Sequence, residues 1–148
     1  MYSLMVDFKV LNSLAKAPTK GSEYAAGWDL YAATDYDIEI APHDTVKIGT
    51  GIAVALPEGV FGAIYARSGI ATKQGLRPAN CVGVVDSDYR GEIIVALHND
   101  SDNSQIVPAG SRIAQFIATP FFGIFWHEVD ELNETIRGVG GFGSTGTK

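Results

Sequence analysis

The sequence predicts an all-β fold, either a sandwich or a barrel. Short runs rich in β-branched and aromatic residues recur along the 148 residues, and turn signals separate them about every 8–12 residues. Only one stretch carries the signals of a helix. A chain of this length fits one domain and can bury a core without disulfides or a structural metal.

The first half of the chain contains most of the predicted strands. Residues 25–32 combine small side chains with Trp28, which we expect to be a buried aromatic. Pro57 and Gly59 form a turn that separates two of the runs. The runs with alternating or continuous apolar patterns are 7–10, 37–40, 45–48, 52–56 and 60–65.

The single predicted helix is short and follows Arg67. Ser68 is a typical N-cap residue, and Gly75 fits the left-handed position after a helix C-terminus. Because the first amides of a helix lack partners, a helix that begins beside an arginine can bind an anion. A helical turn that only fills a gap between strands has the same signals, so both interpretations remain open.

The most unusual stretch is the polar segment between Gly83 and Gly91. The apolar runs on either side of it, 82–85 and 93–97, predict two strands of a hairpin with reactive groups at its tip. Asp, Ser and Gly are also ordinary residues of a hairpin loop, so this segment alone does not decide between chemistry and a plain turn. Two further strands are predicted at 105–107 and 112–118.

The charge distribution favours a small anionic ligand over nucleic acid. The net charge is −6, whereas sequence-independent nucleic-acid binding needs a basic face. No Asp or Glu occurs in residues 59–85, 103–127 or 135–148. These cationic islands predict a localised anion site, although solvated basic residues can also scatter this way. Their basic residues are Arg67, Lys73, Arg77, Arg112, Arg137 and Lys148.

The sequence contains no predicted membrane segment, leader or zinc site. No apolar run approaches the roughly 18 residues that a spanning helix needs, and no signal region follows Met1. Cys81 is the only cysteine, and the three histidines are far apart. We therefore expect a soluble intracellular protein, cytoplasmic or, if viral, in the cytoplasm or nucleus of the host cell.

The last twelve residues form a glycine-rich tail that begins at Arg137. Its five glycines allow successive backbone amides to turn toward one anion, and Arg137 adds a bidentate donor. A tail of this composition is disordered by default. Phe142 argues against that default, because an exposed aromatic side chain gains nothing unless it packs on a flat partner.

Five segments, taken in order, resemble the five motifs of the trimeric dUTP diphosphatases (dUTPases). They extend over nearly the whole chain: 26–33 (AGWDLYAA), 66–71 (ARSGIA), 83–91 (GVVDSDYRG), 110–116 (GSRIAQF) and 137–146 (RGVGGFGSTG). The resemblance implies a jelly-roll-like β-barrel over residues 1–134 and a flexible arm over 135–148 that closes over an active site. It also implies a homotrimer whose three sites each draw residues from all three subunits.

The same resemblance implies an enzyme that hydrolyses dUTP to dUMP and pyrophosphate. In that family water attacks the α-phosphorus, and Mg²⁺ is held mainly by the phosphates and water. This reaction limits uracil incorporation into DNA and supplies dUMP for thymidylate synthesis. By position, Asp86 orients and deprotonates the water. Tyr89 lies under the deoxyribose and excludes a 2′-hydroxyl.

The remaining implied roles concern the base and the phosphates. Asn80 and the backbone that includes Gly83 and Val84 read the uracil edge, and Phe142 stacks over the base. Asp29 supports the metal from outside its direct ligands or anchors its own loop. The residues implied to bind the phosphates are Arg67, Ser68, Gly69, Gln115, Arg137, Gly143, Ser144 and Thr145.

Departures from the family pattern are small. Ala66 stands where proline is common, Trp28 is bulkier than the usual residue, and Ser111 occupies a position that is often acidic. None of these removes a named functional group. The dCTP deaminases, which share the fold, are one alternative, and a non-catalytic β-sandwich that oligomerises through its sheets is another. The sandwich alternative leaves Asp86 and the cationic islands unexplained.

Overall fold

The computed structural model describes residues 3–141, and short β-strands dominate it, as predicted. No helix among these residues has the length and hydrophobicity needed to cross a membrane. The strands are β1 (Asp7–Val10), β2 (Thr19–Lys20), β3 (Trp28–Tyr31), β4 (Ile38–Ile40), β5 (Thr45–Gly49), β6 (Ile52–Ala55), β7 (Val60–Tyr65), β8 (Leu76–Pro78), β9 (Gly83–Val85), β10 (Ile94–Asn99), β11 (Gln105–Val107) and β12 (Arg112–Pro120); the helix is α1 (Ser68–Gln74).

The strands pair antiparallel in four sheets that form a jelly-roll-like β fold. The largest sheet has the order β2-β3-β12-β7-β9, and a second has the order β5-β10-β8. Two further pairs, β1 with β6 and β4 with β11, complete the arrangement. β12 is central in the largest sheet, where it pairs with both β3 and β7. The C-terminal strand therefore joins an early strand to a middle one.

The inward side chains of these sheets form one hydrophobic core. β10 shows the pattern most clearly, because Val95 and Leu97 are buried whereas Ile94 is exposed. A fully buried side chain of this kind stabilises the fold by about 1.5–3 kcal/mol. The largest fully buried apolar side chains are Leu30, Ile40, Ile52, Leu76, Leu97, Ile113 and Val95.

The predicted hairpin around Asp86 is wrong. β9 pairs with β7, whereas β10 pairs with β5 and β8, so the segment between them crosses from one sheet to another. Gly83 allows this choice of partner, because a Cβ there would lie only 3.0 Å from Cβ of Ile64 on β7. The polar residues therefore lie between two sheets rather than at a hairpin tip.

The expectation that Trp28 is buried is also wrong. Trp28 is 42% exposed, and Leu30 is the buried residue of β3. Trp28 is the first residue of β3, at the edge of the core, and Lys20 lies over its ring with Nζ 5.4 Å from the centroid. The indole thus stacks under an ammonium group instead of filling the core.

The helix is present where the sequence predicts it, with one difference at its start. Arg67, rather than Ser68, is the N-cap residue, and no side chain caps the first turn. Gly75 ends the helix in the left-handed conformation, with φ of 69°. The exposed first turn therefore begins directly after an arginine.

Residues 121–141 contain no strand or helix, and several of their large apolar side chains are exposed to solvent. Phe122, Phe125 and Trp126 are 94%, 99% and 89% exposed. These three aromatic side chains therefore form an exposed apolar stretch after the last strand of the described residues.

Candidate active site

A cleft of about 240 Å³ lies between β9 and β10, and we call it the β9–β10 cleft. Apolar side chains, among them Ile64, Val85 and Val95, form part of its wall. Polar groups enter from the segment that crosses between the sheets. The cleft brings together five residues that the sequence predicted for one site: Asn80, Gly83, Val84, Asp86 and Tyr89.

Asp86 and Tyr89 belong to one tight turn after β9. The backbone N–H of Tyr89 donates to the carbonyl of Asp86 at 3.2 Å. The Tyr89 hydroxyl donates to the carbonyl of Glu92 at 2.9 Å, and a Cβ at Gly91 would collide with this hydroxyl. The tyrosine ring is therefore fixed. Among residues 3–141, no salt bridge includes Asp86, so its carboxylate lines the cleft without a cationic partner.

Asn80 is presented to the cleft by a turn at residues 78–81. The N–H of Cys81 donates to the carbonyl of Pro78 at 2.9 Å, and Cys81 has a left-handed φ of 62°. The Asn80 amide nitrogen lies 3.7 Å from the position that a Cβ on Gly83 would take. Because β9 is an edge strand in the part of the chain that the structure describes, backbone groups on its open side have no strand partner there. The cleft thus combines a side-chain amide with free backbone donors and acceptors.

A second group of predicted residues meets at the end of β7, and we call it the arginine cluster: Arg67, Asp29 and Arg112. Arg67 Nε donates to Asp29 Oδ1 at 2.7 Å, and Arg112 Nη1 donates to Asp29 Oδ2 at 3.1 Å. The Asp29 side chain is only 13% exposed. One largely buried carboxylate therefore orients two guanidinium groups.

A bulge in β12 builds this cluster. Gln115 pairs with Asp29 of β3 and Tyr65 of β7, and Arg112 pairs with Tyr31. Residues 112 and 115 would face opposite sides of a regular strand, but the register shift between Arg112 and Ala114 places both on the face that carries Asp29. The bulge thereby aims a second arginine at the same carboxylate.

Gln115 and the start of α1 complete the neighbourhood of Arg67. Gln115 Nε2 donates to the carbonyl of Ala66 at 2.8 Å, and a Cβ at Gly27 would collide with the Gln115 side chain. Ser68 and Gly69, both exposed, form the first turn of the helix. The sequence-predicted phosphate ligands of this region are therefore neighbours in space.

Arg77 differs from the expectation that its cationic island binds an anion. Its Nε and Nη2 donate to the two oxygens of Asp100 at 2.6 Å and 2.9 Å. The hydrogen bond from Arg77 holds the pKa of the Asp100 carboxyl below its ordinary value. Arg77 is thus committed to an ion pair, whereas the terminal nitrogens of Arg67 donate no hydrogen bond to residues 3–141.

The two groups lie in separate clefts of the chain. A second cleft of about 210 Å³ is lined by Arg67, Ser111 and Arg112 and shares no residue with the first. Arg137 lies in a turn of the C-terminal segment, where its Nε donates to the carbonyl of Gly140 at 2.8 Å. The predicted site residues Phe142, Gly143, Ser144 and Thr145 lie outside the described residues.

Two residues of these clefts were given no individual role in the nucleotide site predicted from the sequence, although Arg112 belongs to one of the cationic islands. Glu92 accepts a hydrogen bond from the N–H of Gly51 at 2.7 Å and lines the β9–β10 cleft. Arg112 was visible only as the single Asp, Glu, Lys or Arg in residues 103–127. Its isolation in a stretch without other charges was the signal for a functional role, and the structure shows that it pairs with Asp29.

Comparisons with known proteins match the chain over nearly its whole length. The family model described as dUTPase matches residues 14–146. The deoxyuridine 5'-triphosphate nucleotidohydrolase of Desulfitobacterium hafniense (strain DSM 10664 / DCB-2) is 50% identical over 132 residues, which are 88% of this chain and 87% of that protein. The protein of the same name from Rickettsia prowazekii (strain Madrid E) is 46% identical over 138 residues, 93% of each chain. Among solved structures, the Staphylococcus bacteriophage 80alpha dUTPase with dUPNHPP has a TM-score of 0.89 at 26% identity, covering 98% of this chain and 100% of that one.

Proposed function

The chain belongs to the dUTPase family, and from that premise we propose that it hydrolyses dUTP to dUMP and pyrophosphate. The observation that carries the proposal is the β9–β10 cleft, in which an unpaired carboxylate, a fixed tyrosine and an edge strand with free backbone groups lie together. The reaction removes a precursor of uracil in DNA and yields dUMP for thymidylate synthesis.

Asp86 acts as the general base in this proposal. It accepts a proton from the water that attacks the α-phosphorus in line with the departing pyrophosphate. Such phosphoryl transfer depends mainly on positioning and on stabilisation of phosphate charge, so an exposed carboxylate in a fixed turn is an adequate base. Among residues 3–141, Asp86 is the only Asp that lines the β9–β10 cleft.

The base and sugar of dUTP occupy the same cleft. Uracil presents an N–H between two carbonyl oxygens, which the Asn80 amide and the backbone of residues 80–84 can pair. Tyr89 lies beneath the deoxyribose. The hydrogen bond from its hydroxyl to Glu92 prevents the ring from moving aside to make room for a 2′-hydroxyl. Discrimination against UTP is therefore steric.

The phosphates bind to groups from the neighbourhood of the arginine cluster. Arg67 uses Nε on Asp29 and keeps its two terminal nitrogens for phosphate oxygens. Gln115 uses one of its two amide hydrogens on Ala66, so the second can donate to a phosphate. Ser68 and Gly69 add a hydroxyl and backbone amides.

Mg²⁺ fits this arrangement as an ion that the substrate brings. No group of three or more His, Cys, Asp or Glu among the described residues could hold a metal ion, and both oxygens of Asp29 already accept bonds from arginines. Mg²⁺ prefers phosphate and water oxygens with few protein ligands. Bound to the triphosphate, it would neutralise phosphate charge, and Asp29 would act on it at most through water.

We infer that the complete site forms between the subunits of a homotrimer. Among residues 3–141, no Lys or Arg lines the β9–β10 cleft, which shares no residue with the cleft beside the arginine cluster. In this proposal the arginine cluster of a second subunit supplies the missing cations. The exposed aromatics of residues 121–126 supply an apolar surface for a second copy to cover. Light scattering should give the mass of three chains, and a monomer that is fully active would contradict the shared site.

The C-terminal arm, residues 135–148, closes over the nucleotide in this proposal. Arg137 and the backbone at Gly143, Ser144 and Thr145 bind the γ-phosphate, and Phe142 stacks on uracil. A chain that ends at Glu134 should remain trimeric by light scattering but release pyrophosphate poorly. Full activity of that truncation would remove the arm from the mechanism.

The decisive experiment measures pyrophosphate release with Mg²⁺ from dUTP, dCTP, dTTP and UTP in parallel. Asp86→Asn serves as the blank. Release from dUTP alone, lost in the variant, is the expected result. Ammonia formed from dCTP would move the chain to the dCTP deaminases, and no release from any of the four would favour a non-catalytic β-sandwich.

A further inference from the structure

Arg77 makes more contacts than a surface ion pair needs. It lies on β8 between the buried residues Leu76 and Pro78, with its side chain on the outer face. Beyond the two bonds to Asp100, its Nη1 donates to the carbonyls of Pro78 and Ala79 at 3.1 Å and 3.3 Å. The same nitrogen lies 3.8 Å from the sulfur of Cys81. Every nitrogen of the guanidinium group therefore has a partner.

The three acceptors of Nη1, on Pro78, Ala79 and Cys81, all belong to the turn that presents Asn80. The turn needs support, because Cys81 holds a left-handed φ of 62° that side-chain-bearing residues rarely adopt. The N–H of Val82 donates to the carbonyl of Asn80 at 2.6 Å, so the chain reverses sharply just before β9. Arg77 contacts three acceptors around this reversal and limits how far Asn80 can shift.

Asp100 accepts hydrogen bonds from Nε and Nη2 of Arg77, and the loop that carries Asp100 is itself held by hydrogen bonds. Its N–H donates to the carbonyl of Gly75 at 2.9 Å. The preceding residue, Asn99, is fully buried, and its amide donates to the carbonyls of Ile40, Ala41 and Asn103. Arg77 therefore connects a fixed loop to the turn that carries a base-reading residue.

We propose that Arg77 is a positioning residue that sets the preference of the cleft for uracil. Together with Asp100 it fixes the 78–81 turn, and thereby holds Asn80 at one distance from the backbone of β9. Uracil and cytosine differ in the donors and acceptors of one edge, so a turn that cannot shift leaves cytosine with mismatched groups. This inference rests on the proposed dUTP hydrolysis.

If the Arg77–Asp100 pair only stabilised the fold, its loss would lower the unfolding temperature and leave KM unchanged. The side chains of Arg77 and Asp100 are 35% and 44% exposed, and pairs this exposed add little to the free energy of unfolding. Neither residue lines the β9–β10 cleft, which contains Asp86. Loss of the pair should therefore change nucleotide recognition, seen in KM, more than the chemical step, seen in kcat.

The test compares the full-length protein with Arg77→Lys, Asp100→Asn and Asp102→Asn. Lys keeps the charge of Arg77 but cannot bridge Asp100 and the turn. Asp102 is the matched control, because it is a carboxylate of the same loop whose one ion pair within residues 3–141 is with His43. The measurements are kcat and KM for dUTP, the inhibition constant of dCTP, and the unfolding temperature of each protein.

We expect KM for dUTP to rise about tenfold in Arg77→Lys and Asp100→Asn, the change that one lost hydrogen bond produces. The ratio of the dCTP inhibition constant to KM should fall, kcat should stay within about twofold of wild type, and Asp102→Asn should match wild type. Unchanged KM and ratio in both variants, or a fall in kcat alone, would overturn the inference. A wild-type protein inactive on dUTP would instead overturn the proposed function.

Discussion

The β9–β10 cleft and the arginine cluster differ in how their charged side chains are paired. In the cleft, Asp86 is exposed and has no cationic partner among the described residues. In the cluster, two arginines share the carboxylate of Asp29, which lies between them. The first region keeps a base available, and the second keeps cations oriented. Each lacks what the other has, which is why we assign them to one site only across a subunit boundary.

The largest expected effect comes from the base. Asp86→Asn should bind dUTP but lose about 10²–10⁴ in kcat, because the amide cannot accept the proton from water. Asp88→Asn is the matched control, since Asp88 is exposed in the same segment and does not line the cleft. Steady-state pyrophosphate release measures both. If the two variants turned over dUTP at similar rates, Asp86 would not be the general base.

The next effect tests whether the two regions cooperate between subunits. Asp86→Asn and Arg67→Ala, each nearly inactive alone, should regain activity when they are co-refolded. With random assortment, about a quarter of the sites would combine an intact Asp86 with an intact Arg67 from another chain. The assay is pyrophosphate release per trimer. No recovery in mixed trimers, verified by differently tagged chains, would place both regions in a site within one subunit.

A smaller effect concerns the sugar. Tyr89→Ala should narrow the preference for dUTP over UTP by about tenfold or more in kcat/KM, since the side chain no longer occupies the space of the 2′-hydroxyl. Tyr89→Phe keeps the ring but loses the bond to Glu92 that holds it in place, so its loss of preference should be smaller than that of Tyr89→Ala. An unchanged ratio in the Ala variant would move the discrimination out of this cleft.

The smallest effect is on stability at low pH. The hydrogen bond from Arg77 lowers the pKa of Asp100 from its ordinary value of 3.8. The ion pair therefore stabilises the native state above pH 3.8 and loses this contribution as the pH falls through the lowered native value. Asp100→Asn should thus have a slightly lower unfolding temperature than wild type at neutral pH. The difference should vanish in strong acid, and a constant difference at every pH would contradict the linkage.

Local patterns predicted most strands and the helix, because these depend on neighbours in sequence. The five predicted cleft residues also meet, since four of them lie within one short stretch, 83–89. The pairing of β9 with β7 was not predictable, because alternation identifies a strand but not its partner. The prediction that Trp28 is buried failed because a single sequence does not show where along a strand the core ends.

Long-range polar contacts were the least predictable part of the site. The bulge that turns Arg112 toward Asp29 inserts no recognisable turn residue between Arg112 and Ala114. Arg77 and Asp100 are separated by 23 positions, and nothing in either local pattern connects them. Their role therefore depends on the β8–β10 pairing, which the structure alone reveals.

The central place of β12 in the largest sheet also sets the order in which the protein can fold. β3 and β7 are made early but have no direct pairing with each other; both pair with β12. Phe116 must find Trp28 and Ile64, so the sheet closes only after residue 116 has been synthesised. Such non-local pairing slows folding. During translation, the β2–β3 and β7–β9 pairs therefore each keep one open edge until β12 emerges between them.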